Sequence, residues 1–248
     1  MLLRELEEYT GQLLVVERYR DYCPNGVQVE GKSEVTRIAT GVTASLELIE
    51  QAEAWGADAI LVHHGYFWKN EEASLRGVKR NRIARLLSRN ISLLAYHLPL
   101  DSHELLGNNV QLAKRLGVTP TGRFGEQDIG WIGTLGGEWA LAELALRLEQ
   151  VTCRLPILVQ GGKGTVSRIA WCTGGAQNLF QQAIDLDVDV FITGEASEPC
   201  YHLAKESGVA FIAAGHHATE RYGVQALGEH LSQKFGLEHR YFDLDNPI

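Results

Sequence analysis

Short unbroken apolar runs alternate along this chain with stretches whose apolar residues recur at helical spacing. VTRIATGV, ADAILVHH and ISLLAYH in the first half, and VSRIAWCT, DVFIT and VAFIAAG in the second, have the continuous Val, Ile, Leu and Ala content of strands buried on both faces. Helices are predicted over LLRELEEYTGQLLVV, SLELIEQAEAWG ending at Gly56, the basic stretch 78–89, residues 105–116, WALAELALRLEQ, AQNLFQQAIDL, PCYHLAKES and TERYGVQALGEHLSQKF. Shorter strands are predicted at VQVE, IGWIGTL, LPILVQ and HRYFDL. Residues 117–128, GVTPTGRFGEQD, gather Gly, Pro and polar side chains and are expected to form the main internal loop. Strands alternating with helices predict an α/β fold.

The order of elements occurs twice. Residues 31–64 lie without a gap on residues 162–195, with Gly, Lys, Val, Arg, Ile, Ala, Leu, Gln and Asp coinciding, and a slightly shorter offset lays His97 and Asp101 on His216 and Glu220. Such self-similarity reads as a tandem duplication. Two similar α/β modules, residues 1–135 and 136–248, are expected to face each other about a pseudo-twofold axis, with terminal strands free to exchange between them. The copies differ at the ends of matching strands, where His63-His64 becomes Gly194-Glu195.

Composition narrows the picture only modestly. At 248 residues and 45% hydrophobic content the chain can bury two small cores, and the repeat favours that division. A net charge of -8 argues against general nucleic-acid or membrane-surface binding. No apolar run approaches a membrane span, and MLLRELEEYT is too acidic for a signal peptide. Cys23, Cys153, Cys172 and Cys200 have no close pair and read as reduced structural thiols, so a cytoplasmic protein is expected.

Candidate chemistry gathers at the strand ends. His63, His64, Asp101, His216 and Glu220 close apolar runs, where open α/β sheets collect ligands, and they suffice for two metal ions. Adjacent strand residues point to opposite faces, so His63 and His64 can share an ion only if the chain turns at Gly65. A helix beginning near Ala218 would stand His216 and Glu220 one turn apart, whereas Pro99 suggests a loop between His97 and Asp101. Nitrogen and oxygen donors without sulfur suit Zn, Fe(II), Mn or Ni, and a paired centre lowers the pKa of a bridging water. His97 fits three roles: ligand, partner to a ligand, or proton shuttle. His103, His202, His217 and His230 read as structural or surface residues, with His202 the best placed of them.

Three further features are ambiguous by themselves. Gly26 to Ser33 fits the phosphate-loop pattern, but it lies between strand-like segments with no helix N-terminus to follow, so a turn is expected. Arg76, Lys79, Arg80, Arg82, Arg85 and Arg89 form a basic run that reads as a solvated helix face or as an attraction for phosphates. Tyr66, Phe67 and Trp68 follow the histidine pair and could stack a planar heterocycle or pack a subunit contact.

ADAILVHHGYFWK, HLPLD, DYCPNGVQVEG, TGE and GHHATERYG together resemble the type 2 GTP cyclohydrolase I homologue family, the NIF-three-like metal-binding proteins, in the short bacterial form. The resemblance covers essentially the whole chain. It implies two α/β modules, a dinuclear metal centre in the cleft between them with ligands His63, His64, Asp101, His216 and Glu220, and a toroidal homohexamer. Two functions are compatible with that expectation. One is a metal-dependent hydrolase acting on a nucleotide-like or pterin-like molecule, with His97 or Glu195 moving protons and the aromatic trio holding the base. The other is a non-catalytic protein that stores, delivers or senses metal, or scaffolds a partner.

Overall fold

Buried strands capped by amphipathic helices build two sheets. The computed structural model describes residues Met1–Ile248. In chain order the elements are α1 (Leu3–Leu14), β1 (Gly26–Val29), β2 (Arg37–Thr43), α2 (Leu46–Trp55), β3 (Ala59–His64), α3 (Gly77–Arg89), β4 (Ser92–Ala95), α4 (Leu98–Ser102), α5 (Asn108–Leu116), β5 (Thr119–Phe124), β6 (Gly130–Ala140), α6 (Leu141–Thr152), β7 (Ile157–Val159), β8 (Thr165–Trp171), α7 (Phe180–Ile184), β9 (Val190–Thr193), α8 (Glu198–Ser207), β10 (Ala210–Ala213), α9 (His216–Phe235) and β11 (Glu238–Tyr241). They divide into two compact units, residues 1–107 with 223–245 and residues 108–222 with 246–248. No helix is long and apolar enough to cross a membrane.

The first unit has the sheet order β1-β4-β3-β2-β11, parallel except for β1. Period-two alternation gives each strand two buried faces. Ala39, Ile60, Val62 and Leu93 pack with Leu48, Ile49 and Ala52 of α2 and Ile83 and Leu86 of α3. Ile38, Leu61 and Leu94 turn the other way, onto Leu6 and Leu14 of α1 and Val224, Leu227 and Leu231 of α9. Ser45 caps α2 by accepting from the Leu48 amide, and Gly56 ends it at a φ of 82°, as its place after the apolar repeat predicts.

The second unit has the order β5-β6-β8-β9-β10-β7. Its parallel strands β8, β9 and β10 match β2, β3 and β4, and antiparallel β7 on β10 matches β1 on β4. Ile169, Trp171, Val190 and Ile192 pack against α5 and α6, while Phe191 and Phe211 meet Phe180 and Cys200 on the other face.

An ionic clamp is repeated in the two copies. Asp58 accepts from the backbone amides of Thr36 and Arg37, the Thr36 hydroxyl and Lys32 Nζ at 2.5–3.0 Å. Asp189 does the same with Ser167, Arg168 and Lys163 at 2.8–3.3 Å. Lys32 is therefore committed to Asp58, and Gly26 to Ser33 comprises strand β1 and the turn after it.

The units and the sequence copies are different partitions. Residue 135, the boundary suggested by the repeat, falls inside β6, which pairs antiparallel with β8 of the second sheet, while β11 pairs parallel with β2 of the first. Residues 117–128 are also not all loop: β5 hydrogen-bonds β6 as an exposed edge strand, where Pro120 costs the sheet little because one edge needs no partner. Pro99 likewise sits in the first turn of α4, where a missing amide hydrogen is tolerated, so His97 to Asp101 is a helical turn rather than the expected loop.

Asp58 generates a stability prediction. Burial pushes its carboxyl up, but Lys32, the Thr36 hydroxyl and the two amides outweigh this and hold it far below the usual range. Its contribution is present above the unfolded value of ~3.9 and is lost as pH falls toward the folded value. Asp58→Asn is expected to lower unfolding free energy by about 1–3 kcal/mol at pH 7, the deficit shrinking below pH ~3.9. Urea denaturation across pH checks this; a pH-independent deficit contradicts it.

Candidate metal centre

In the first unit the candidate donors stand at the carboxyl ends of β3 and β4. His63 is fully buried, with Nδ1 2.9 Å from the Tyr96 carbonyl oxygen and Nε2 3.4 Å from Asp101 Oδ1. A carbonyl only accepts, so Nδ1 carries a proton and donates it to Tyr96, and Nε2 is the nitrogen that faces Asp101. His64, at the last position of β3, sets Nδ1 3.2 Å from Thr43 Oγ1. The chain turns at Gly65, where a side chain would collide with Gln28 and Ala95, and the His63 and His64 ring centres are 4.6 Å apart. The opposite-face geometry of adjacent strand residues has been lost at this end.

His97 precedes α4 and completes the group. Its Nδ1 is 2.7 Å from Asp21 Oδ1, and its backbone amide donates to Asn25 Oδ1 at 2.8 Å. Burial raises Asp21, but the hydrogen bond and charge of His97, with donors from Asn25 and Tyr22, hold its carboxyl below the ordinary value. His63, His64 and His97 each offer a ligand atom, all within 4.8 Å of one another.

The second unit presents a smaller set. His216 begins α9, with Nδ1 2.7 Å from Glu195 Oε1 and Nε2 3.2 Å from Glu220 Oε2, one helical turn on. Glu220 is buried against Gly174, whose φ of 72° and missing Cβ make room for the carboxylate. Gln177 Nε2 donates to Glu195 at 3.4 Å. Glu195, expected as a proton carrier, is thus in contact with His216 and fixes its ring.

The aromatic trio separates. Tyr66 is buried with its hydroxyl donating to the Ala44 carbonyl, so it serves the core rather than a ligand. Phe67 is exposed, with Lys79 over its ring. Only Trp68 lies against the histidines, its ring centre 5.0 Å from His97 and 5.9 Å from His64. In the basic run, Arg85 and Arg89 both pair with Glu53, and Lys79 pairs with Glu71. His202 is exposed on α8 beside Glu198, His230 bonds Tyr9, and His103 accepts from the amides of Leu105 and Leu106. Asp21 and Asn25 were not singled out by sequence reasoning, although both lie in the motif DYCPNG. Thr43 carried no signal.

The donor chemistry fits a divalent ion. Imidazoles with Nδ1 held by oxygen, beside buried carboxylates and without thiolate, suit Zn, Fe(II), Mn or Ni. The model of the Duf34/NIF3 (NGG1p interacting factor 3) family matches residues 1–247. The chain belongs to the Duf34/NIF3 family. It is 49% identical over 247 residues to the protein from Neisseria meningitidis serogroup B named GTP cyclohydrolase 1 type 2 homolog, covering 100% of this chain and 99% of that one. Among solved structures, protein ybgI, described as of unknown function, is 46% identical with a TM-score of 0.97, each chain covered in full. TTHA1606 from Thermus thermophilus is 33% identical with a TM-score of 0.93, also over 100% of both chains. The family resemblance read from the motifs and the α/β class read from the strand pattern are both borne out.

In this Duf34/NIF3 chain His216 carries a titration prediction. Burial draws the imidazole down, but Glu220 and then Glu195 outweigh it and raise it to about 9. The contact contributes stability fully below the unfolded value of ~6.5 and loses it as pH rises through about 9. NMR of chelator-treated protein is expected to show His216 titrating near that value, and Glu195→Gln to lower it. A wild-type midpoint at or below ~6.5 contradicts the clamp.

Proposed function

We propose that this Duf34/NIF3 protein is a dinuclear divalent-metal hydrolase acting on a nucleotide-like or pterin-like small molecule. The carrying observation is that each unit presents a histidine–carboxylate set at the carboxyl ends of its strands, with imidazole Nδ1 atoms already held by oxygen acceptors. His63, His64 and Asp101, together with His216 and Glu220, hold the ions. Two divalent ions would supply Lewis acidity toward water and toward the substrate atom under attack.

The chain's own residues do the rest. Glu195 keeps the His216 ring in place through Nδ1, and the Tyr96 carbonyl does so for His63. His97, backed by Asp21, faces the donors from the side and is placed to pass a proton at Nε2. Trp68 offers an aromatic face for a planar base next to His64 and His97. The relative's printed name, GTP cyclohydrolase 1 type 2 homolog, agrees with a nucleotide-like or pterin-like substrate. Residence in the cytoplasm and assembly into a homohexamer belong to the same proposal, supported by four cysteines that form no disulfide and by the family motifs; light scattering tests the assembly.

Activity is the test. Metal-loaded protein, screened against nucleoside triphosphates, cyclic nucleotides, damaged bases and pterins, is expected to hydrolyse one class. The rate should vanish with chelator, return with Mn, Fe(II) or Zn, and rise with pH through ~7. His216→Ala and Glu220→Ala should each lose metal while the far-UV dichroism stays unchanged, because the sheets are held by apolar strands. Uniform inactivity at full metal occupancy overturns the hydrolase reading in favour of metal storage, delivery or sensing.

A further inference from the structure

We propose that a groove in the second unit, between the C-terminal end of α5 and the exposed face of α6, is a binding site for a nucleoside phosphate, separate from the candidate metal donors. It has a volume of about 530 Å³, within the range of roughly 300–1,000 Å³ typical of small-molecule sites. None of the donors described above lines it, so the proposal stands independently of the hydrolase reading.

Topology separates the two places. β6 pairs antiparallel with β8, and Trp139 stands opposite Val166 near the start of that strand. The groove is therefore at the amino ends of the parallel strands of this sheet, whereas Glu195 and His216 follow the carboxyl ends of β9 and β10.

A local irregularity supplies an aromatic wall. The register of β6 on β8 shifts between Thr134 and Trp139, across Gly136 and Gly137, and such a bulge bends a strand and re-aims its side chains. Trp139 packs partly against the core beneath α5 and α6, and its remaining surface lines the groove. An indole face is a broad stacking platform for a planar base.

Charge supplies the other half of the ligand. Lys114 and Arg115 from the last turn of α5 and Arg147 from α6 line the groove against one carboxylate, Glu143, in a chain of net charge -8. Neutral partners hold both guanidinium groups in place. Arg147 donates to the Arg115 carbonyl at 2.7 Å, while Arg115 donates to Gln111 Oε1 at 2.9 Å and lies 3.7 Å over the Tyr222 ring. Guanidinium groups fixed in this way, with no carboxylate cancelling their charge, suit phosphate oxygens, which they grip through paired N–H groups. Gln150, one turn after Arg147, adds an amide that can both donate to and accept from the edge of a base. An uncharged heterocycle would leave the cations unused, and inorganic phosphate would leave the indole unused. Glu143, one turn before Arg147, opposes the phosphate and limits its affinity.

Calorimetry on full-length, metal-loaded protein tests the site with ATP and GTP, and with adenosine and tripolyphosphate as the two halves of the ligand. At least one nucleotide is expected to bind, each half at least about tenfold more weakly. Arg147→Ala should weaken nucleotide binding about 5–20-fold. Glu143→Gln, which removes the opposing charge, should strengthen it about two- to fivefold. Trp139→Leu should weaken it about tenfold. Glu143 and Arg147 are exposed, so their variants decide the matter even if Trp139→Leu disturbs the core. Photolabelling with 8-azido-ATP locates the site, with label expected in residues 139–150 of both the wild type and a His216→Ala/Glu220→Ala variant. No binding of either nucleotide up to about 1 mM, affinity unmoved by Arg147→Ala and Glu143→Gln, or label confined to residues 60–68 and 195–220, overturns the proposal. Failure of the hydrolase reading looks different, because inactivity at the metal centre leaves the label on α6 in place.

Discussion

Complete burial of the His63 imidazole is the constraint from which the first unit's site follows. A ring nitrogen removed from water must find a partner or cost about 1–3 kcal/mol. Nδ1 finds the Tyr96 carbonyl, one residue past the end of β4, because β3 and β4 run parallel with Val62 opposite Ala95. That register is in turn enforced by apolar burial on both faces of the strands. The sheet thereby decides which nitrogen of His63 is turned toward Asp101, which stands next to it in the turn of α4.

The duplication separates what the fold requires from what the chemistry requires. Asp58 and Asp189 tie strand starts to the preceding turn in matching ways, so the clamp belongs to the scaffold. At the opposite strand ends the copies have diverged. One kept two histidines and the other a glycine and a glutamate, and Gly174 made room for the Glu220 carboxylate where the first copy has Thr43 bonded to His64. A scaffold repeated once thus supplies two unlike sets of candidate donors.

Continuous apolar strands made β2, β3, β4, β8, β9 and β10 readable, because burial on both faces leaves a run that no exposed loop would tolerate. The five candidate donors stood out because they end such runs. β5 was not readable, since an edge strand with four exposed residues looks like a loop to any hydrophobic criterion. The exchange of β6 and β11 into sheets of the other copies' strands was only an open possibility, because pairing partners depend on sheet edges that local sequence does not record. Asp21 was hidden for a related reason: its bond to His97 spans 76 positions, and an aspartate in a polar loop looks ordinary until that contact is seen. Tyr66 looked like a substrate contact by adjacency to the histidines, yet its alternate placement along the chain sent it into the core.

Anomalous diffraction from crystals equilibrated with Mn(II) or Zn tests the central claim most directly. The account predicts two anomalous peaks per chain, bonded through the imidazole nitrogens of His63, His64 and His216 and the carboxylates of Asp101 and Glu220. Peaks confined to surface carboxylates, with those five side chains left uncoordinated at full soak concentration, would contradict it.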